Sequence, residues 1–308
     1  MKTVPCANHS AFEVGVCILA WILFAWFYSE RPYDGLWIVS LLMLSPLVLM
    51  PAGEEITRGA RMRRRRWLPH VGASLLLAAS LLRPACPMAA VLATPWMVLR
   101  LCVAAEVVLK WRFLPVKTSG QVCADFASIF PFVGAVWLVA HRANWTPWNF
   151  DPLIVLLTAA HFHHAGFTLP LMAGLNAKAK PGCWTRFSCV AILAGVPLVA
   201  VGITCTHFGV LPFVEPVGVA VLVVGATGVA ISQLRRGLEK EFGRLVRLGF
   251  AVSGVSLLVA MLLALGFGLR YVIPGWALTM PQMWMIHGTL NAFGFGLCGI
   301  LAWRGTSR

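Results

Sequence analysis

Residues 158–174 read Thr-Ala-Ala-His-Phe-His-His-Ala-Gly-Phe-Thr-Leu-Pro-Leu-Met-Ala-Gly, and His161, His163 and His164 interrupt a stretch that is otherwise apolar enough to lie in a bilayer. An imidazole in hydrocarbon has no water to hydrogen-bond, so each ring must find a partner inside the protein. Three of the chain's eight histidines fall within these four positions. This concentration predicts a functional site, and polar contacts between packed helices are the alternative explanation.

The composition around this stretch is that of a membrane protein. The 308 residues are 59% hydrophobic and 12% charged, with a mean hydropathy of +0.80. Soluble domains carry about 25% charged residues. The sequence therefore predicts an all-α integral membrane protein, folded as a single polytopic domain over residues 1–308 and embedded in a lipid bilayer.

Apolar runs of about 20 residues predict ten transmembrane helices. The first run ends in Tyr-Ser-Glu-Arg with no Ala-x-Ala site, so it is interpreted as a helix rather than a signal peptide. The ten predicted helices cover residues 11–28, 35–53, 67–82, 87–110, 122–140, 152–176, 187–206, 213–233, 246–268 and 282–303.

The distribution of basic residues supports this count. Of the 25 Lys and Arg residues, twenty flank one set of alternate helix ends and four flank the other set. This asymmetry predicts that both termini are cytoplasmic. The strongest determinant is the Arg-rich run at residues 61–66, which is predicted as a loop and would alternatively bind anionic lipid. The basic residues follow membrane topology, so nucleic-acid binding is not expected.

Helix ten carries a second pair of polar groups at a similar predicted depth. At about 1.5 Å per residue, His161 to His164 lie about 15–20 Å from the outer face, whereas His287 and Asn291 lie about 8 and 14 Å deep. His287 and Asn291 share a face by their spacing of four residues. We therefore expect the polar groups of helices six and ten to satisfy one another.

Three further ionisable residues fall within predicted helices. Arg100 is roughly mid-helix, so it should face the interior and pair with an acid or with the polar head of a lipophilic substrate. Glu106 is one turn from Lys110, and Asp125 is near the cytoplasmic end of helix five. The candidate catalytic residues are His161, His164, His287, Asn291, Arg100, Glu106 and Asp125.

The histidine segments resemble the YndJ-like bacterial membrane family. The resemblance lies in Ala-Ala-His-Phe-His-His-Ala-Gly-Phe of helix six, His-Gly-Thr-Leu-Asn-Ala-Phe-Gly-Phe from His287, and Phe-Pro-Phe-Val-Gly-Ala-Val-Trp of helix five, mainly over residues 120–176 and 285–303. It implies a multi-pass fold in the bacterial cytoplasmic (inner) membrane and a site at these histidines. It implies no settled reaction, although members are sometimes labelled transporter-like.

Several functions fit this pattern. The leading hypothesis is an intramembrane enzyme whose buried His and acid groups isomerise, cyclise or open an epoxide of a lipophilic small molecule. In a metal-assisted variant, Zn²⁺ or iron is held by some of the four histidines His161, His163, His164 and His287. The alternatives are a small-molecule or proton-coupled transporter with a His site at the midplane, and a haem-binding redox protein.

Overall fold

The computed structural model describes residues 7–29, 36–113 and 117–306, and within these ranges the chain is helical without a strand. Ten helices follow one another in the order predicted from the apolar runs. They are α1 (Ala7–Ser29), α2 (Leu36–Leu44, Ser45–Leu49 and Met50–Arg58), α3 (Ala60–Leu81), α4 (Pro87–Trp111), α5 (Ser119–Arg142), α6 (Pro152–His164 and Thr168–Ala179), α7 (Cys183–His207), α8 (Val214–Gly237), α9 (Arg244–Gly268) and α10 (Met280–Gln282, Met283–His287, Leu290–Leu297 and Cys298–Gly305).

Eight of the ten helices are long and apolar enough to cross a membrane, which confirms the predicted all-α membrane bundle. The two exceptions in the described ranges are α1, whose apolar part is the shorter run Phe12–Phe27, and α3, which begins with the arginine run. Helix α2 is central, because 89% of its apolar window is buried against 33–56% for the other seven. Helices α1, α3, α6 and α10 pack against α2.

The arginine run belongs to a helix, so its prediction as a loop was wrong. Helix α3 begins at Ala60, and Gly59 turns the chain between α2 and α3 with a φ of 82° that favours glycine. Arg is a good helix former, and hydropathy does not detect a helical turn that is cationic. Consequently Arg63, Arg66 and His70 share one face of α3, since they are three and four residues apart.

Helix α6 is discontinuous, which corrects the prediction of one helix over residues 152–176. Its two halves are separated by a turn at residues 165–167. Gly166 permits the break, because a Cβ there would lie 2.9 Å from the Cβ of Phe130. The carbonyl oxygen of His164, at the end of the first half, accepts a hydrogen bond from the Thr168 hydroxyl at 2.8 Å. Satisfying such groups inside the protein is what makes a broken helix tolerable within a membrane.

Helices α7 and α8 pack backbone to backbone as an antiparallel pair. A Cβ on Gly202 would lie 2.4 Å from the Cα of Glu215, and one on Gly195 would lie 2.8 Å from the Cα of Leu222. The facing glycines of α8, Gly218 and Gly225, are equally confined by the α7 side of the contact. Each helix presents its two glycines seven residues apart, so they recur on the same face of the seam.

Candidate functional site: a buried network of His, Trp, Arg and Glu

Helix α2 contains a π-helical turn, Ser45–Leu49, that forms hydrogen bonds with α3 and α6. A π turn shifts the regular backbone hydrogen bonds, and such turns are frequent at functional sites. The carbonyl oxygen of Pro46 accepts a hydrogen bond from the Nε2 of His70 on α3. The hydroxyl of Ser45 donates to the carbonyl oxygen of His163 at 2.8 Å. The wide turn of α2 therefore contacts the break in α6.

His163 uses both of its ring nitrogens. Its Nδ1 lies 2.7 Å from the carbonyl oxygen of Ala159, and its Nε2 lies 2.9 Å from the indole nitrogen of Trp96 on α4. The carbonyl can only accept and the indole N–H can only donate, so this geometry assigns the neutral tautomer with the proton on Nδ1. Gly134 of α5 leaves the space for the ring, because a Cβ there would lie 2.6 Å from Nδ1.

Arg100 lies beside Trp96 and is almost fully buried, with 2% of its surface exposed. Its guanidinium carbon is 4.6 Å from the centre of a Trp96 ring. Its Nη1 lies 3.5 Å from Oε1 of Glu54, itself 6% exposed, and 3.4 Å from the sulfur of Met50. Its Nη2 donates to Nδ1 of His70 at 3.4 Å. Arg100 thus faces the interior and pairs with an acid, as expected from the sequence.

The contacts continue toward the end of α4. Oε1 of Glu54 lies 3.7 Å from Nη1 of Arg66, and Nη2 of Arg66 pairs with Glu106. Glu106 also accepts a hydrogen bond from the exposed Lys110 at 2.6 Å. A continuous series of polar contacts thus leads from the break in α6 to the end of α4. We call it the buried polar network, and its members are His163, Trp96, Arg100, His70, Glu54, Arg66 and Glu106.

Asp125 is separate from this series of contacts. Its Oδ2 accepts hydrogen bonds from the Lys117 ammonium at 2.6 Å and the Trp111 indole at 2.8 Å. Arg58, at the end of α2, donates to the hydroxyl of Ser128 on α5 at 2.8 Å. Of the two acids predicted from the sequence, Glu106 therefore belongs to the buried polar network and Asp125 stabilises the start of α5.

A second polar group lies at α6, α9 and α10. Nδ1 of His287 is 2.9 Å from the carbonyl oxygen of Ala260, and its Nε2 is 3.1 Å from the amide nitrogen of Asn291. His161 lies close enough to His287 for the two rings to interact electrostatically, and its Nε2 is buried without a hydrogen-bond partner among the described residues. The structure therefore brings His161, His287 and Asn291 together, as predicted.

The histidines do not satisfy one another. In the described part of the chain no hydrogen bond joins two of them, and His164 reaches the carbonyl oxygen of Leu41 at 2.9 Å instead. The expectation that the polar groups of helices six and ten satisfy one another was wrong, because His164 and His287 bond to carbonyl groups of α2 and α9 instead. Nor do three His, Cys, Asp or Glu side chains converge on one metal position anywhere in the described ranges. The four candidate ligands of Zn²⁺ or iron, His161, His163, His164 and His287, point to different helices.

Comparison with known proteins places the network within the residues matched by one protein family. A model of the YndJ-like protein family matches residues 36–295, which include every member of the network. The chain belongs to the YndJ-like family. One curated relative is "Uncharacterized membrane protein YndJ" from Bacillus subtilis (strain 168), which is 30% identical over 182 residues. The match covers 58% of this chain and 32% of the relative, so the chain spans about a third of that protein's length. No solved structure matches.

The YndJ-like match is wider than the segments that suggested it. Beyond helices five, six and ten it includes α2, α3 and α4, which contribute most of the buried polar network. Sequence reasoning missed Glu54, Arg66, His70 and Trp96. Had the arginine run been treated as helical, the spacing of Arg63, Arg66 and His70 would have indicated an inward-facing polar stripe on α3.

Proposed function

We propose that this YndJ-like protein is a proton-coupled membrane transporter in which Glu54 exchanges a proton for its contacts with Arg100 and Arg66. The observation that supports the proposal is the buried polar network, in which hydrogen bonds, ion pairs and one cation–π contact between Arg100 and Trp96 lead from His163 to the partly exposed Glu106. Ionisable groups inside a membrane domain are costly and typically mark ion or substrate pathways.

Stability alone is a poor explanation of this network. A buried ion pair loses much of its Coulombic gain to desolvation, and apolar side chains of similar volume often stabilise a protein equally well. The discontinuous α6 and the π-helical turns of α2 and α10 adjoin the buried histidines. Broken helices at the midplane are the usual setting of transporter sites, and π turns are common at functional sites.

The charge of Glu54 would couple proton uptake to the release of Arg100 and Arg66. With Glu54 ionised, its carboxylate holds the guanidiniums of Arg100 and Arg66 at 3.5 and 3.7 Å. A proton on Glu54 removes that negative charge and frees both cations for another anion. His70, whose Nδ1 accepts from Arg100, and His163 carry the polar contacts further to the break in α6. In the orientation that we propose, both termini are cytoplasmic, and the network opens to the cytoplasm of a bacterial inner membrane through Glu106.

An intramembrane enzyme acting on a lipophilic small molecule is the second candidate. It is favoured by one observation: within the described residues the Nε2 of His161 has no hydrogen-bond partner, and it lies beside the hydrogen-bonded pair His287 and Asn291. A buried imidazole with a free nitrogen is suited to general acid or base catalysis, such as isomerisation. In that case the buried polar network would be structural.

The proposal is tested by measuring the charge that crosses the membrane when the external pH changes. Proteoliposomes adsorbed on a solid-supported membrane are exposed to a pH jump, with the proton as the probe. We expect a transient current that is lost in Glu54→Gln and in the charge-balanced double variant Glu54→Gln/Arg100→Met. The matched control is Glu215→Gln, because Glu215 is equally buried but pairs with Arg270 outside the network. A current that persists in the double variant, or the absence of any current in the parent protein, would refute the transport proposal.

A further inference from the structure

The outward face of α3 combines cations with an apolar surface. Exposed residues recur along it at intervals of three or four positions, namely Arg61, Arg65, Leu68 and Gly72. Leu68 is 79% exposed, and Leu75, two turns further along the helix, is 62% exposed. The buried polar network lies on the other side of α3, where Arg66 contacts α2 and α4. In a bundle that crosses a membrane, an apolar face of this kind contacts lipid.

The arginines of this face lie at the edge of the hydrocarbon layer. Between Arg65 and Arg83, the exposed cation beyond the other end of α3, the chain rises about 27 Å. The hydrocarbon core of a bilayer is about 30 Å thick, so the two cations only just span it. A cation that faces lipid at this boundary needs an anionic or aqueous partner. The phosphate groups of lipids lie directly outside the hydrocarbon, within reach of a long arginine side chain.

The protein supplies no counter-charge on this face. Neither Arg61 nor Arg65 forms an ion pair with a carboxylate of the described residues, whereas the inward-facing Arg63 and Arg66 each contact two carboxylates. The first turn of α3 contains no acidic residue, and the free N–H groups of a helix N-terminus add positive potential at the same end. This end of the outward face is therefore complementary in charge to an anionic headgroup.

Gly72 leaves a notch in the apolar part of the face. A Cβ at this position would meet no atom within 4 Å, so packing within the described chain does not explain the glycine. Glycine is also less favourable than alanine inside a helix. Leu68 lies one turn before Gly72, and the exposed Leu75 and Leu76 lie one turn after it. The notch is thus a gap between exposed leucines, with the shape and polarity that suit an acyl chain.

We propose that the outward face of α3 binds one anionic phospholipid, whose phosphate contacts Arg61 and Arg65 and whose acyl chain lies in the notch at Gly72. Arginine is suited to this role because its planar pairs of N–H groups match the oxygens of a phosphate. The site is open to the bilayer, so it requires no internal cavity. It lies on the opposite side of α3 from Glu54 and does not depend on the proposed transport.

Two other arginines provide a control of equal charge. Arg235 in the last turn of α8 and Arg244 at the start of α9 are exposed, and neither pairs with a carboxylate of the described residues. Replacing both by glutamine lowers the net charge as much as Arg61→Gln/Arg65→Gln does. General attraction of anionic lipid to a basic protein would depend equally on the two pairs, whereas the proposed site depends on Arg61 and Arg65.

Native mass spectrometry of the protein in mild detergent, titrated with phosphatidylglycerol or with phosphatidylcholine, counts the bound lipids and gives their Kd. We expect one phosphatidylglycerol to bind more tightly than any phosphatidylcholine. Arg61→Gln/Arg65→Gln should weaken this Kd by roughly 10- to 30-fold, the effect of two arginines near an anionic lipid. Arg235→Gln/Arg244→Gln should retain the parent Kd. Gly72→Leu, which fills the notch without changing the charge, should also weaken binding of phosphatidylglycerol.

The inference is overturned by any of three results. Phosphatidylcholine could bind as tightly as phosphatidylglycerol, the two double variants could weaken binding equally, or Gly72→Leu could retain the parent Kd. All five substituted residues are exposed, so each variant should unfold at about the parent Tm in lipid-free detergent, and this measurement separates loss of the lipid site from loss of the fold.

Discussion

Replacing Glu54 by glutamine should destabilise the protein more than a typical ion-pair deletion. Glu54 is 6% exposed and lies 3.5 Å from Arg100, which is 2% exposed. At an effective dielectric constant of about 20 the attraction across this distance is about 5 kcal/mol, part of which offsets desolvation. Breaking a buried pair while one charge remains costs about 3–5 kcal/mol. We therefore expect Glu54→Gln to lower the free energy of unfolding by about 3–5 kcal/mol.

The double variant Glu54→Gln/Arg100→Met provides the decisive comparison. Methionine fills much of the same space and removes the cation that the first substitution leaves unpaired. The double variant should therefore lie within about 2 kcal/mol of the parent protein, because replacing both partners is far less costly than removing one. Reversible unfolding in mixed micelles of sodium dodecyl sulfate and dodecylmaltoside, followed by circular dichroism, measures both values.

Lys180 supplies the control for an exposed cation. Its side chain is 65% exposed and pairs with Glu239, which also contacts Arg236. An exposed member of an ion pair contributes about 0–1 kcal/mol, so Lys180→Gln should change the unfolding free energy by less than about 1 kcal/mol. If the effects of Glu54→Gln and Arg100→Met simply add, the two residues are not energetically coupled and the reasoning from the buried network is wrong.

Three further predictions concern packing and protonation. Gly134→Ala should destabilise the protein by about 1–3 kcal/mol, because its Cβ would overlap the ring of His163. The control Gly72→Ala in α3, whose Cβ would have no atom within 4 Å, should be neutral or stabilising by about 1 kcal/mol. Chemical denaturation measures both variants, and the reverse order of stability would contradict this packing. Nitrogen NMR of ¹⁵N-labelled histidine should report the neutral Nδ1–H tautomer for His163. Trp96→Phe should perturb that signal, because it removes the donor to Nε2. An Nε2–H signal in the parent protein would contradict the assignment. Gly202→Ala should lower the unfolding free energy by at least about 1–3 kcal/mol, because its Cβ would meet the backbone of α8 at 2.4 Å; an unchanged unfolding midpoint would show that the pair is looser than described.

The fold was largely predictable from hydrophobicity and loop charge. Bilayer thickness imposes a characteristic length on each apolar run, and the basic residues mark alternate helix ends, so ten helices could be counted without tertiary information. The burial of Arg100 against an acid also followed from the cost of a charge in hydrocarbon. Both predictions depend on local sequence and the solvent alone.

The side-chain contacts within the candidate site were harder to predict from the sequence. His163 reaches Trp96, and His164 reaches a backbone carbonyl of α2, contacts that depend on how three helices rotate about their axes. Helical periodicity gives the relative direction of side chains on one helix but not their orientation toward its neighbours. The π turn in α2 adds a local shift in register that no apolar pattern records, and it is the origin of the contact between Pro46 and His70.

Function was the least predictable level, because the same buried histidines suit a catalyst and a proton pathway. In the function we propose, the residue that distinguishes them is Glu54, which pairs with Arg100 beside Trp96 and His163. Neither apolar periodicity nor the resemblance to the YndJ-like family singled it out.

The glycine seam between α7 and α8 also has a mechanical consequence. At the glycine seam the two backbones are in contact, so there is no layer of side chains between them that could change rotamer and let one helix slide past the other. The pair α7 and α8 should therefore move as one rigid body. Relative motion is then left to elements with interrupted backbone hydrogen bonding, namely α6 at residues 165–167 and the π-helical parts of α2 and α10. Two of these three elements, α2 and α6, are joined by the hydrogen bond from the Ser45 hydroxyl to the carbonyl oxygen of His163, and both contribute a residue to the buried polar network. A change of charge at Glu54 would therefore affect α2 and α6, the helices with interrupted backbone hydrogen bonding. The α7–α8 pair would keep its internal geometry while they move.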